Sequence, residues 1–327
     1  MDRIAVFGIG STNFRYAVAV PSGDIVTEVT VEQTRPRDLE TQLVEAIERL
    51  RTATTEPLTG VGISCTGLVD KETGQISSLD TPSGETTDTI DARDAIRDSL
   101  GLPVVLENDC NAAVMGEWHF GSRDGVDSLV HVTFGTGIGG GVVERGQLLR
   151  GESAQAGEFG LLPVAPDSDV ASTGVTGAWE AFCSGRGIAR HVSKRIGTED
   201  LETVLEGDVS AQDVFRAASE GDAFAQSCLD RIARYNAAGV AAICNAVNPG
   251  LLTVGGGVAM NNAETVLDGI DRYIDDYLFV DRPEIRISRL GDNIGLYGAL
   301  ATFIDESEPS STVWERSVAR DPVEDDD

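Results

Sequence analysis

Short, strongly apolar runs along this chain alternate with longer stretches in which apolar residues recur every three or four positions. The two periods predict strands trading places with helices. Residues 4–9, 16–20 and 25–31 read as three strands, joined by turns containing Gly10-Ser11 and Pro21-Ser22-Gly23. A helix near 39–51 and a buried strand at 61–64 follow. After a Gly/Ser/Thr-rich stretch around 79–87, a helix near 91–100 leads through Gly101-Leu102-Pro103 to a strand at 104–106, whose end carries Asp109.

A helix near 112–120 ends this first cycle, and a second begins with a strand at 128–134, a glycine turn at 137–141 and a strand at 141–144. Both cycles open with a strand, a Gly/Thr turn and another strand. Such an echo suggests a duplicated α/β fold with a cleft between its halves. Beyond Glu180 the pattern is mostly helical, at 187–196, 211–220 and 223–247. One more strand, 251–254, runs into Gly255-Gly256-Gly257, and a helix at 294–304 closes the fold.

A chain of 327 residues is long enough for two lobes. Residues 1–112, completed by the closing helix at 294–305, are expected to form the smaller lobe and 113–293 the larger. The acidic stretch 306–327 reads as a disordered tail.

Charge narrows the picture further. Asp and Glu number 54 against 25 Lys and Arg, a net charge of −29, and the only lysines are Lys71 and Lys194. An acidic, lysine-poor surface stays hydrated in concentrated salt, where screening weakens self-repulsion. A salt-adapted cytoplasm is the expected setting. Nucleic acid is an unfavourable partner for such a field, since backbone binding needs basic patches. No apolar run reaches the roughly eighteen residues of a membrane span. The five cysteines are scattered without a Cys-x-x-Cys pair, as expected of buried thiols in a reducing compartment.

The chemistry-bearing residues are concentrated in one run: Glu107-Asn108-Asp109-Cys110-Asn111, then Gly135-Thr136-Gly137-Ile138-Gly139-Gly140-Gly141, then Gly157-Glu158-Phe159-Gly160 and Trp179-Glu180. Glycine turns let backbone N–H groups approach anionic oxygens. Several carboxylates facing one pocket need donors to satisfy them, which a polyol supplies. Taken alone, Asp109 could equally be a helix N-cap, and the glycine turns could be plain hairpins.

In order and in combination, Gly10-Ser11-Thr12-Asn13, Asn108-Asp109-Cys110-Asn111, the 135–141 glycine run, Glu158-Phe159-Gly160 and Gly255-Gly256-Gly257 resemble the ROK family of sugar kinases and repressors. The resemblance spans about residues 3–303. It implies the actin-like ATPase fold shared with hexokinases, in which ATP and a sugar meet between two closing lobes. On that template Asp109 is the general base for the sugar's primary hydroxyl, and Gly67, Asn108, Glu158 and Glu180 join it around the sugar. Gly10, Ser11, Thr12 and Asn13 would wrap the phosphates together with Gly135, Thr136 and Gly137, while Gly255, Gly256 and Gly257 leave room for adenosine. ATP and Mg²⁺ are the implied cofactors, and a dimer or tetramer the implied assembly. Glucose is the leading substrate, with fructose or an N-acetylated hexosamine as alternatives. A repressor would carry a basic helix-turn-helix ahead of the first motif, where this sequence has only a few residues.

Two departures from the family pattern stand out. The histidine and three cysteines that hold a structural zinc in many members are replaced together by Leu161, Ala171, Thr173 and Ala178. Structural zinc needs four nitrogen or sulfur donors, so no zinc is expected, and the loop should be held by packing of Leu161 and Trp179. At Gly8 the aspartate that helps place magnesium is missing. This leaves open a sugar sensor that binds without catalysis.

Overall fold

The computed structural model describes residues 2–79, 81, 85–121, 123, 125–198 and 202–307. In the N-terminal half, β1 (Ile4–Ile9), β2 (Asn13–Ala19) and β3 (Thr30–Gln33) form an antiparallel meander. After α1 (Leu39–Ala53), β4 (Gly60–Cys65) returns parallel to β1. A hairpin of β5 (Leu68–Asp70) and β6 (Gln75–Ser77) and the helix α2 (Ala92–Leu100) precede β7 (Val104–Asn108), which runs parallel to β4 and directly into α3 (Asp109–Phe120).

The C-terminal half repeats this plan with β8 (Ser128–Phe134), β9 (Ile138–Glu144) and β10 (Gln147–Leu148) as its meander. A small hairpin of β11 (Ala171–Ser172) and β12 (Val175–Thr176) leads into the helices α4 (Glu180–Cys183), α5 (Gly185–Arg195), α6 (Ala211–Ser219) and α7 (Ala223–Val247). Then come β13 (Leu251–Gly255), α8 (Gly257–Asn261), α9 (Ala263–Tyr273), β14 (Glu284–Ile287) and α10 (Ile294–Ser307). The sheet orders are β3-β2-β1-β4-β7 and β10-β9-β8-β13-β14, so the first three strands, the fourth and the fifth take the same places in both. This is the duplicated sheet of the actin-like ATPase fold, as expected.

Glycines set how closely the halves approach. Added Cβ atoms would lie 2.4 Å from Cys110 Sγ at Gly139 and 2.6 Å from a Val114 methyl at Gly141. The expected turn through 141 is therefore confined to 135–137, and Gly139, Gly140 and Gly141 form part of β9, where missing side chains let α3 lie against the strand. α10 packs on α3 and on β1, β4 and β7. At that crossing a Cβ on Gly298 would meet the Ala112 carbonyl oxygen at 2.3 Å.

Three expectations need correction. The third strand, expected over 25–31, starts only at Thr30; of residues 25–29 only Ile25 forms a bridge, to Ala19. The Thr27 hydroxyl accepts the Val18 N–H at 2.9 Å, so a side chain takes a ladder position and regular pairing resumes only at Thr30. The helix expected from 112 begins at Asp109, because Asn108 caps it. Glu306 and Ser307 belong to α10 rather than to a tail; residues 308–327, and Asp80 and 82–84 of the Gly/Ser/Thr-rich stretch, lie outside the described residues.

Candidate active site

At the junction of β7 and α3, the Asn108 side-chain oxygen accepts the N–H groups of Cys110 at 3.0 Å and Asn111 at 3.3 Å. Such a cap satisfies two of the first-turn donors, which fixes the chain entry and aims Asp109 from the first helical position. The Asn108 amide nitrogen donates to the Gly67 carbonyl at 3.4 Å. Gly67 itself has φ +93°, and a Cβ there would lie 2.7 Å from the Ser77 carbonyl oxygen. The tight approach demands glycine.

These residues border a cavity of about 810 Å³ between the N-terminal hairpin β5–β6, the α3 start and the loop after β10. Gly67, Asn108, Asp109 and Glu158 share its lining, so four of the five residues expected around a sugar are brought together. Burial pushes the Asp109 carboxyl above its ordinary value, against the lowering effect of the Cys110 N–H. Glu158 is also raised, first by burial and then by the charges of Glu180 and Asp109. Like charges within reach disfavour joint ionisation. A ligand rich in hydroxyl donors would relieve that tension.

Glu180 is the exception. Its carboxylate accepts the Ile138 N–H at 3.2 Å, the Ser172 hydroxyl at 2.6 Å and the Thr173 hydroxyl at 3.4 Å. It lines a neighbouring cavity of about 460 Å³ with Thr136, Gly137, Arg186 and Arg190. No local pattern marks serine and threonine of the β11–β12 hairpin as its partners. Sequence reasoning also missed Lys71 and Arg150 as lining residues of the large cavity; the rarity of lysine was the available signal for the first.

A third cavity, about 500 Å³, is lined by Gly135, Thr136, Gly185, Gln212, Gly257 and Asn261 among others. Of the three glycines at the end of β13, 255–257, only Gly257 borders it. A Cβ there would meet nothing nearer than the Asn261 amide at 4.0 Å, leaving space for a flat group. Gly255 is held close to His131, and Gly256, at φ +82°, lies against the Phe134 backbone, where a Cβ would sit 2.5 Å from its carbonyl carbon. These two shape the turn. The open glycine surface fits a nucleotide. The β1–β2 turn closes with a Gly10 N–H to Asn13 carbonyl bond of 2.9 Å, and its residues Gly10, Ser11, Thr12 and Asn13 stand outside the linings of all three cavities.

The segment 161–180, where no zinc ligands are expected, is tied to the core by packing and hydrogen bonds. Trp179, fully buried, donates its indole N–H to Asn236 at 2.9 Å and meets Phe134 edge-on at 5.3 Å. Its backbone N–H reaches the Leu162 carbonyl at 2.8 Å, and Gly177 donates to Val170 at 2.7 Å. Leu161 packs against the same core and Ala178 is buried in it, while the Thr173 hydroxyl joins Ser172 on Glu180. No cluster of three or more His, Cys, Asp or Glu placed for a metal occurs among the described residues.

The family model described as the ROK family matches residues 4–306. This chain belongs to the ROK family. The glucokinase of Halalkalibacterium halodurans is 32% identical over 313 residues, covering 89% of this ROK chain and 91% of the relative. Among solved structures, the ROK hexokinase of Thermus thermophilus superposes with a TM-score of 0.79 at 30% identity, covering 94% of this chain and 100% of the other. The ROK glucokinase of Streptomyces griseus, in complex with glucose and AMPPNP, gives 0.72 at 30% identity, covering 91% and 98%.

Proposed function

We propose that this ROK protein is an ATP-dependent hexose kinase, with glucose as its first substrate and glucose 6-phosphate as product. The observation that carries the reading is the meeting of Gly67, Asn108, Asp109 and Glu158 in one cavity, beside which the fold offers a separate, open cavity bordered by Gly135, Thr136, Gly185 and Gly257. Asp109 accepts the proton of the primary hydroxyl as its oxygen bonds to the γ-phosphorus, and the β–γ bridging oxygen leaves with ADP. Little covalent work is asked of a protein in phosphoryl transfer beyond positioning, charge neutralisation and proton removal. Mg²⁺ would arrive with ATP, since it keeps several waters and binds through few protein carboxylates; its role is to neutralise phosphate charge.

The same proposal divides the chain into lobes at about residue 112 that close on the two substrates, and gives it an acidic, salt-adapted cytoplasmic setting and a homo-oligomeric state. Assignments of Glu180 to the sugar and of residues 10–13 to the phosphates belong to a closed form. ADP release with magnesium-ATP in concentrated KCl, across glucose, fructose, mannose, glucosamine, N-acetylglucosamine and N-acetylmannosamine, tests it. Turnover with one sugar is expected. The absence of a carboxylate at Gly8 favours one second reading, a sugar sensor, which would bind sugar by calorimetry with no ADP release across the panel.

A further inference from the structure

Directly before the Asn108 cap stands Glu107, a carboxylate only 2% exposed. Its Oε1 accepts the Asn108 N–H at 3.1 Å and the Asn111 side-chain N–H at 3.3 Å. Its Oε2 accepts Lys71 Nζ at 2.9 Å and Arg150 Nη2 at 3.0 Å. A buried carboxylate is tolerated when its lone pairs are filled and a countercharge is near, and here four donors converge on it.

The donors come from separate parts of the fold. Asn108 and Asn111 belong to the β7–α3 junction that presents Asp109. Lys71 follows β5, and its ammonium also pairs with Glu306 near the end of α10. A compact ammonium can serve two carboxylates from one point. Arg150 lies in the C-terminal half and opens the loop that leads to Glu158; its carbonyl accepts the Ala156 N–H at 3.0 Å, while residues 151–155 between them are exposed. The arginine is therefore the loop's anchor to the α3 side of the cavity.

We propose that Glu107 is a positioning residue for phosphoryl transfer: one carboxylate holds the α3 start that carries Asp109 and, through Arg150, the loop that carries Glu158, setting the two sides of the sugar cavity in register. This rests on the hexose-kinase reading. Misplacing a reacting group by about 1 Å can lower turnover on the order of 10²-fold. Lys71 supplies the second charge and links the pair to α10.

The test is steady-state ADP release by Glu107→Gln, Arg150→Met, Lys71→Met and the double variant Glu107→Gln/Arg150→Met, with sugar and ATP varied separately. Glu107→Gln should lower kcat/KM for sugar on the order of 10²-fold with the ATP KM unchanged. Arg150→Met should act mainly through the sugar KM, and the double variant should lose less than the product of the two single losses, since contacting residues are not additive. Folded Glu107→Gln and Arg150→Met enzymes with wild-type kcat and sugar KM would overturn the proposal. So would independent, multiplicative losses. Should Glu107→Gln fail to fold, Arg150→Met and Lys71→Met carry the test, and normal sugar KM and kcat in both sink it. A wild-type protein that binds glucose without turnover removes the kinase reading alone; weaker glucose binding by Arg150→Met in calorimetry then supports the positioning role and unchanged binding ends it.

Discussion

The two five-stranded sheets share a strand order but end in different chemistry. In the N-terminal half the fourth strand runs into Gly67 and the fifth into Asn108 and Asp109, which together face a polar cavity. In the C-terminal half the fourth strand runs into Gly255, Gly256 and Gly257, beside a glycine-lined cavity with no carboxylate in its lining. The meander turns differ in the same way, since Gly135 to Gly137 borders two of the cavities described above and Gly10 to Asn13 none of them. A duplicated scaffold thus offers equivalent strand ends, and side-chain chemistry separates a carboxylate-bearing end from a glycine-lined one, the sugar and nucleotide sides of the proposed kinase.

The sharpest way to break that division is at Asp109, the proposed general base. Asp109→Asn keeps an oxygen for the Cys110 N–H but cannot take a proton, so kcat should fall on the order of 10² to 10⁴-fold with sugar affinity nearly intact. Undiminished turnover would remove Asp109 from the chemistry. A pair of glycine substitutions then tests the two sides against each other. Gly67→Ala and Gly256→Ala each place a methyl at positive φ, costing about 1–3 kcal/mol, and each adds a backbone clash, at 2.7 Å with Ser77 and 2.5 Å with Phe134. The first should raise the sugar KM and the second the ATP KM. If both raise the same constant, the division of labour is wrong.

Much of this was legible before any coordinates, because periodicity and glycine placement marked both meanders and the strand ends that carry function. Asp109, Asn108 and Glu158 were named from one run of sequence and share one cavity. What escaped has physical causes. Glycines 139–141 read as part of a turn, yet they lie in β9, where Gly139 and Gly141 leave room for α3 to approach, a requirement set by a helix distant in sequence. β14 is a half-exposed edge strand with charged Glu284 and Arg286, so it lacks the apolar run that reveals a buried strand. The Glu107 cluster draws partners from residues 71, 150 and 306, and no local pattern encodes such a meeting.

The segment 161–180 belongs to the C-terminal half alone, and the buried Trp179 is its strut. Trp179→Phe keeps most of the edge contact with Phe134 but leaves the buried Asn236 oxygen without its donor, a loss of about 1–3 kcal/mol. Thermal or chemical unfolding should register it with little change in kcat. A neutral result would move the support of this loop to the Ser172–Glu180 and Gly177–Val170 bonds.

Asp109 also sharpens the comparison through pH. Its carboxyl is raised in the folded protein by burial, so the folded state holds that proton more tightly than the unfolded chain, whose Asp titrates near 3.9. The sign follows from linkage: this contribution to stability is complete below the unfolded value and is lost as pH rises through the higher folded one. At neutral pH Asp109→Asn should therefore melt at a higher temperature than the wild type, with the gain shrinking as pH falls toward about 4. The acid limb of kcat/KM should lie above the ordinary carboxylate range for the same reason. A melting gain that is independent of pH would place its origin outside the charge of Asp109.

The smallest effect is expected at Gly8. A Cβ there would meet the Gly295 carbonyl carbon at 3.5 Å and the Leu296 nitrogen at 3.7 Å, ordinary contacts, so Gly8→Asp should fold with little loss of stability. The added carboxylate stands two residues before the Gly10 turn, on the strand that pairs with Arg15. If the phosphates reach this turn in a closed form, the variant should raise turnover a few-fold and lower the magnesium concentration needed for half-maximal rate, since a hard oxygen ligand helps hold that ion. Unchanged magnesium dependence would mean that the β1–β2 turn takes no part in placing the ion, and that the phosphate side of the reaction is served by the C-terminal half alone.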